Sequence, residues 1–209
     1  MRSRNKKWAL PYLKEQTKFV CLDIKNKGQW KQLFKKDVIN VEIGFGKASY
    51  ITQMSNIYKD QMWIGIERDI STAATGIKKH IEQFNDNIML IVNDANYLKD
   101  IFEDKEINNI YLNFSDPWPK KAHSKRRLTS NTYIENYYDL LNSNGTIIMK
   151  TDNKELFEYS LVNFLSYNFI LDYISVDYRR VEQEDPITEY EQRYIDLNQP
   201  IYKFIIKKG

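Results

Sequence analysis

What most constrains the fold of this chain is an alternation along nearly its whole length: short apolar runs rich in Val, Ile and Tyr, separated by longer stretches compatible with helix. Strands linked through helices pair as crossovers, and crossovers build a mostly parallel sheet. The runs predict seven strands: Val38–Ile43, Met62–Glu67, Ile88–Asn93, Ile107–Phe114, Thr146–Thr151, Phe169–Val176 and Ile201–Ile206. Helices are expected near 47–58, 70–84, 129–142 and 154–166, with a weaker one near 96–103. Thr129, Ser130 and Asn131 offer N-cap oxygens to the third of these, and Asn144-Gly145 is expected to end it. At 209 residues the chain can bury one substantial core. The reading is a basic N-terminal arm of residues 1–36 and one α/β domain over 37–209.

Charge is unevenly placed. Residues 1–36 hold eleven Lys and Arg against Glu15 and Asp23, and residues 120–127 add five more, although the whole chain carries only +3. An acidic body therefore bears two basic segments, of the kind that attract phosphates through counterion release. A solvated basic tail fits the same charges. Cys21 is the only cysteine, and no C-x-x-C pair or His/Cys cluster has metal-ligand spacing, so neither a disulfide nor a metal is expected. With no long apolar run, a membrane span or export signal is not expected either, and the reducing cytoplasm is the expected location.

The first chemical motif is Val41-Glu42-Ile43-Gly44-Phe45-Gly46-Lys47-Ala48, where a strand runs into a glycine turn and then a helix. Gly44 and Gly46 allow a ligand to approach the backbone closely. Glu67 ends the next strand, where a carboxylate can accept hydrogen bonds from both ribose hydroxyls, and Asp94 follows the third strand, placed to receive an adenine amino group or a neighbouring amide. A nicotinamide dehydrogenase shares several of these features, but Ser49 stands at the sixth position of its glycine fingerprint. Glu42 would repel a pyrophosphate and attract the α-amino group and sulfonium of S-adenosylmethionine, so the methyl donor is preferred.

The second motif, Asn113-Phe114-Ser115-Asp116-Pro117-Trp118-Pro119, follows the fourth strand at the sheet end where open α/β folds bind ligands. Each proline fixes its own φ and is expected to push Asp116 or Trp118 toward an extended conformation. The loop continues into Lys120, Lys121, His123, Lys125, Arg126 and Arg127, expected to contact RNA. Trp118 either stacks on a flipped base or packs internally.

These segments, together with Met1 to Ala9, Lys150-Thr151-Asp152-Asn153 and Thr188-Glu189-Tyr190-Glu191, resemble the bacterial tRNA (guanine-N7-)-methyltransferases over nearly the whole chain. The resemblance implies a Rossmann-like class I methyltransferase fold with an antiparallel final strand and helices on both faces. It implies methylation of the variable-loop guanosine of tRNA, position 46, to 7-methylguanosine, with S-adenosyl-L-homocysteine released. It further implies donor contacts from Glu42, Glu67, Asp94 and Asp116, Asp116 as the catalytic residue, and substrate contacts from Lys120, Asp152 and Thr188 to Glu191. A monomer and a homodimer both remain open. The sequence departs from the family in having Lys7 in place of proline, Ala48 in place of glycine and Ala122 in place of arginine.

Guanine N7 has a lone pair and no proton, so its methylation requires alignment and electrostatics and no base to deprotonate the attacking atom. Positive charge passes from the sulfonium to the purine, where a carboxylate stabilises it. Asp116 is therefore expected to orient guanine through N1-H and the 2-amino group, with Asp152 as a second orienting acid.

Overall fold

A computed structural model describes residues 5–181 and 183–209; Arg2 and Arg4 of the basic N-terminus lie outside the described residues. The chain divides into two compact units, Met1–Glu103 and Asp104–Gly209.

The first unit holds four parallel strands: β1 (Val20–Cys21), β2 (Ile39–Ile43), β3 (Met62–Glu67) and β4 (Ile88–Val92). β3 lies between β2 and β4, pairing Ile39 with Met62 and Trp63 with Ile88, and β1 adds to the far side of β4. β2 is buried along its whole length, as expected of a parallel strand covered on both faces. Two-residue β1 is too short to show a period and was not predicted. Four helices accompany the strands: α1 (Ala9–Glu15), α2 (Trp30–Phe34), α3 (Ser49–Ile57) and α4 (Ile70–His80). Asp69 caps α4 by accepting from Thr72 N at 2.7 Å, and Lys78 and Lys79 complement the dipole at its other end. A 3-10 turn and the short α5 (Leu98–Ile101) follow β4.

The basic segment up to residue 36 carries structure of its own. α1 packs on α4 and buries Ala9 and Leu13, while Lys6 N donates to Ser71 Oγ at 2.9 Å and Lys6 Nζ to Thr75 Oγ1 at 2.8 Å. Trp30 in α2 is buried, its indole donating to the Ile101 carbonyl at 2.9 Å.

The second unit has the strand order β5 (Ile107–Asn113), β6 (Leu141–Thr151), β8 (Tyr202–Lys208), β7 (Phe169–Ser175). β5 and β6 are parallel, whereas β8 runs antiparallel to both β6 and β7, as expected for the final strand. α6 (Asn131–Leu140), α7 (Lys154–Leu165) and α8 (Glu189–Asp196) complete it. The expected end of α6 at Asn144-Gly145 is corrected. The helix stops at Leu140 and β6 begins at once, so these residues fall inside an irregularity where the register jumps from Leu141 to Thr146. Asn142 Oδ1 accepts from Asn144 N at 3.1 Å there, a local side-chain bond that competes with helix and ladder alike. Among the described residues, no helix is long and apolar enough to cross a membrane.

Candidate functional site

In the first unit the strand ends converge on a glycine turn. After β2 the chain passes through Gly44 at φ 81°, Gly46 at 54° and Ala48 at 59°, all left-handed. The amides of Gly44 and Phe45 donate to the Ile66 carbonyl at 2.7 and 3.3 Å, fastening the turn to β3. A Cβ added to Gly44 would meet nothing within 4 Å, so the turn faces open space in which a ligand can lie against the backbone. Ala48 occupies a conformation that costs an L-residue about 1–2 kcal/mol, which is the physical meaning of its departure from glycine.

Glu67 is locked beside this turn. Its Oε2 accepts from Gly46 N at 3.1 Å and its Oε1 from Asp69 N at 2.8 Å, leaving each oxygen further acceptor capacity for a ribose hydroxyl. Burial lifts its pKa above the ordinary carboxylate value, against the two amide bonds that lower it. Asp94, half-buried after β4, accepts from Asn96 N at 2.9 Å. Glu42 is buried at 2% exposure, opposite Gly65 in the β2–β3 register. Open backbone, a fixed carboxylate and two further acids suit a nucleoside bearing a cationic amino-acid tail.

In the second unit, the Asp116 loop leaves β5 with Phe114 at φ 50°, its amide held by the Lys150 carbonyl of β6 at 2.8 Å. Asp116 is exposed, as are Lys120, Lys121, Lys125 and Arg126, while His123 is half-buried on a 3-10 helix, Lys121–Arg126. The extended conformation expected of Trp118 before Pro119 is corrected: its φ is 41°. What holds it is Arg127, whose Nε donates to the Pro117 carbonyl at 2.9 Å and Nη2 to the Trp118 carbonyl at 3.1 Å. Arg127 is only 8% exposed and lies over the Tyr159 ring at 4.2 Å, so the structure sets it apart from the surface cations with which the sequence grouped it. Trp118 itself is half-buried, with the Arg126 guanidinium 5.0 Å from its ring centre and His123 edge-on at 5.7 Å.

Thr188 to Glu191 follow the pattern of a helix start. Thr188 caps α8, its hydroxyl accepting from Glu191 N at 3.0 Å, as the Thr-x-x-Glu spacing dictates. The Glu191 carboxylate does not return to the cap. It is fully buried, 2.6 Å from Arg179 Nε and 3.1 Å from Lys150 Nζ. Both residues expected to contact substrate thus have their side chains engaged in seating α8. Glu189 and Tyr190 are exposed, and Tyr190 packs on Phe114 at 5.1 Å between ring centres. Burial, the Tyr194 hydroxyl and Asp152 all raise the Tyr190 pKa, so Asp152, Tyr190 and the root of the Asp116 loop lie together.

Sequence reasoning overlooked the cluster behind them. Lys150 also reaches Asp185 Oδ2 at 2.7 Å, the Tyr178 hydroxyl donates to Asp185, and Lys203 donates to the Tyr178 oxygen at 2.7 Å. Burial opposes ionisation of Asp185, but Lys150 and Tyr178 overcome it and hold its pKa low. Lysines within the apolar runs of β6 and β8 were the available signal, since lysine is rarely buried unless paired.

A family model described as "Putative methyltransferase" matches residues 36–204. The chain is 43% identical to a tRNA (guanine-N(7)-)-methyltransferase from Oceanobacillus iheyensis and 41% identical to one from Bacillus subtilis, each alignment covering 97% of both chains. Among solved structures it resembles a 30S ribosomal A1408 methyltransferase from an uncultured bacterium, with a TM-score of 0.65 and 16% identity over 90% of this chain and 96% of that one. A precorrin-6y C5,15-methyltransferase from Geobacter metallireducens gives 0.58 at 14% identity, covering 93% of this chain and 95% of the other. The expected α/β fold of the class I methyltransferases is borne out.

Proposed function

The chain belongs to the bacterial tRNA (guanine-N(7)-)-methyltransferases, and from that membership we propose that it transfers a methyl group from S-adenosyl-L-methionine to N7 of guanosine in tRNA. The observation that carries this reading is the identity of 41–43% sustained over 97% of the chain. The variable-loop guanosine at position 46 is the proposed target, and the cytoplasm, where a free thiol such as Cys21 persists, the proposed setting.

When bound, the donor supplies an electrophilic methyl group on a sulfonium. Gly44 and Gly46 expose backbone to its tail, Glu67 receives the ribose hydroxyls, Asp94 receives the adenine edge, and buried Glu42 favours the donor's cationic end. No residue needs to remove a proton from N7. Asp116, exposed on a stiff loop, orients guanine through N1-H and the 2-amino group and stabilises charge arriving on the ring. Asp152, Glu189 and Tyr190 border the target nucleoside, while Lys120, Lys121, His123, Lys125 and Arg126 meet the RNA backbone.

The test is incubation with methyl-labelled donor and an unmodified tRNA transcript, with 7-methylguanosine located by reduction and chain cleavage. Label at the variable-loop guanosine is expected. Tight tRNA binding without product would instead indicate an RNA-binding module, and nicotinamide binding a dehydrogenase.

A further inference from the structure

We propose that Arg127 is a positioning residue for the reaction, a clamp that holds the Asp116 loop in a left-handed conformation its sequence disfavours, and not a ligand of RNA phosphate. The inference rests on the methyltransferase reading above. Its starting point is a conflict between sequence and backbone. Trp118 precedes a proline, which disfavours helical conformations, and it carries a large side chain, yet its φ is 41°. Such a conformation is strained and persists only where its surroundings impose it.

The imposing group is the Arg127 guanidinium. Two adjacent donors of its planar fork meet two successive carbonyls, Pro117 at 2.9 Å and Trp118 at 3.1 Å, which fixes the direction of both peptide planes. A lysine ammonium carries charge but no such fork. The Tyr159 ring of α7 underlies the guanidinium at 4.2 Å, and the Arg127 amide donates to the Ser124 carbonyl at 3.1 Å, so both side chain and backbone are fixed. At 8% exposure the group has little surface to offer a phosphate, whereas its neighbours Lys125 and Arg126 are exposed. The clamped carbonyls belong to the two residues that follow Asp116, so their orientation sets the direction in which that carboxylate leaves the loop.

The experiment compares Arg127→Lys with the unaltered protein in three readings: single-turnover methyl transfer at saturating tRNA, tRNA affinity across salt concentrations, and donor affinity. The expected result is a rate lower by about 10–100-fold, the scale on which small misplacements act, with tRNA affinity within threefold and an unchanged salt slope. A phosphate ligand would behave otherwise: affinity would fall and the slope would shift while the saturated rate held, and that result overturns the proposal. Tyr159→Leu removes the ring beneath the guanidinium and leaves both hydrogen bonds in place. It should show the same division of effects more weakly, and it serves if Arg127→Lys does not fold. An unchanged rate in the variant that folds also overturns the proposal. Absence of methyl transfer by the unaltered protein would overturn the functional reading and this proposal with it, whereas normal transfer by both the unaltered protein and the variant would overturn this proposal alone.

Discussion

The ammonium of Lys150 near the end of β6 lies 3.1 Å from the carboxylate of Glu191 in the first turn of α8, and both side chains are fully buried. With Arg179, Lys203 and Asp185 around them, three cations face two anions. This imbalance ranks the consequences of breaking the cluster. Glu191→Leu leaves three cations facing one anion and should cost about 3–5 kcal/mol, the usual result of stranding buried charge. Lys150→Met leaves charges in balance and should cost less. Denaturant unfolding of the two variants checks the order, which the reverse ranking would refute.

Asp116 is exposed, so its replacement should test chemistry with little effect on folding. Asp116→Ala is expected to lower methyl transfer at least about a hundredfold, the scale of losing a positioned electrostatic group, while thermal unfolding stays within experimental scatter. Near-normal formation of 7-methylguanosine by the folded variant would remove Asp116 from the mechanism.

Lys125 and Arg126 present exposed cations beside that loop. Each phosphate contact contributes about 0.7–0.9 to the slope of log affinity against log salt. Replacing both by glutamine should therefore flatten the slope for tRNA by roughly 1.5. Donor binding, measured separately, should not change; its loss would show that these residues support the fold and not the RNA.

Much of this was legible in advance because periodicity and glycine chemistry are local. Seven of the eight strands among the described residues, and the turn from Gly44 to Ala48 with Glu67 beside it, follow from patterns spanning a few residues. What stayed hidden depends on partners distant in sequence. Arg127 reads as one more cation in a basic run until its guanidinium is seen on the Pro117 and Trp118 carbonyls. Glu191 reads as a surface acid until Lys150, 41 residues earlier, meets it. α1 was obscured by Lys6, Lys7 and Lys14 and by Pro11, which is tolerated because it falls in the first turn of the helix.

Lys203 makes stability depend on pH. Burial depresses its pKa from 10.5 to about 8, with Lys150 and Arg179 adding to the shift and Asp185 and Glu191 opposing it. Between those values the unfolded chain holds a proton that the folded chain has lost, so stability rises with pH from about 8. Buried Tyr137 acts oppositely above its ordinary value of 10.0, because its raised pKa keeps a proton in the folded state that the unfolded state releases. Burial likewise raises the Cys21 thiol above 9.0, which opposes the rise from about that pH, so the rise should be clearest between about pH 8 and 9. Lys203→Met should flatten it when urea midpoints are compared across that range; parallel curves for the two proteins would contradict the assignment.

Gly76 in α4 couples the proposed donor turn to the helix packed against it. A Cβ at Gly76 would stand 2.3 Å from the carbonyl carbon of Lys47 and 2.5 Å from its Cα. These are backbone atoms of the turn itself, and they cannot swing aside as a flexible side chain would. Gly76→Ala would ordinarily favour a helix by about 1 kcal/mol. Here overpacking of about 1–3 kcal/mol should outweigh that gain. Part of the strain should be relieved by displacing Lys47, and with it Gly46, whose amide holds Glu67. The expected outcome is a lower melting temperature together with weaker binding of S-adenosyl-L-methionine, measured by calorimetry, while tRNA affinity is retained. Unaltered donor binding in a destabilised variant would mean that α4 yields instead, and that the turn is held by β3 alone.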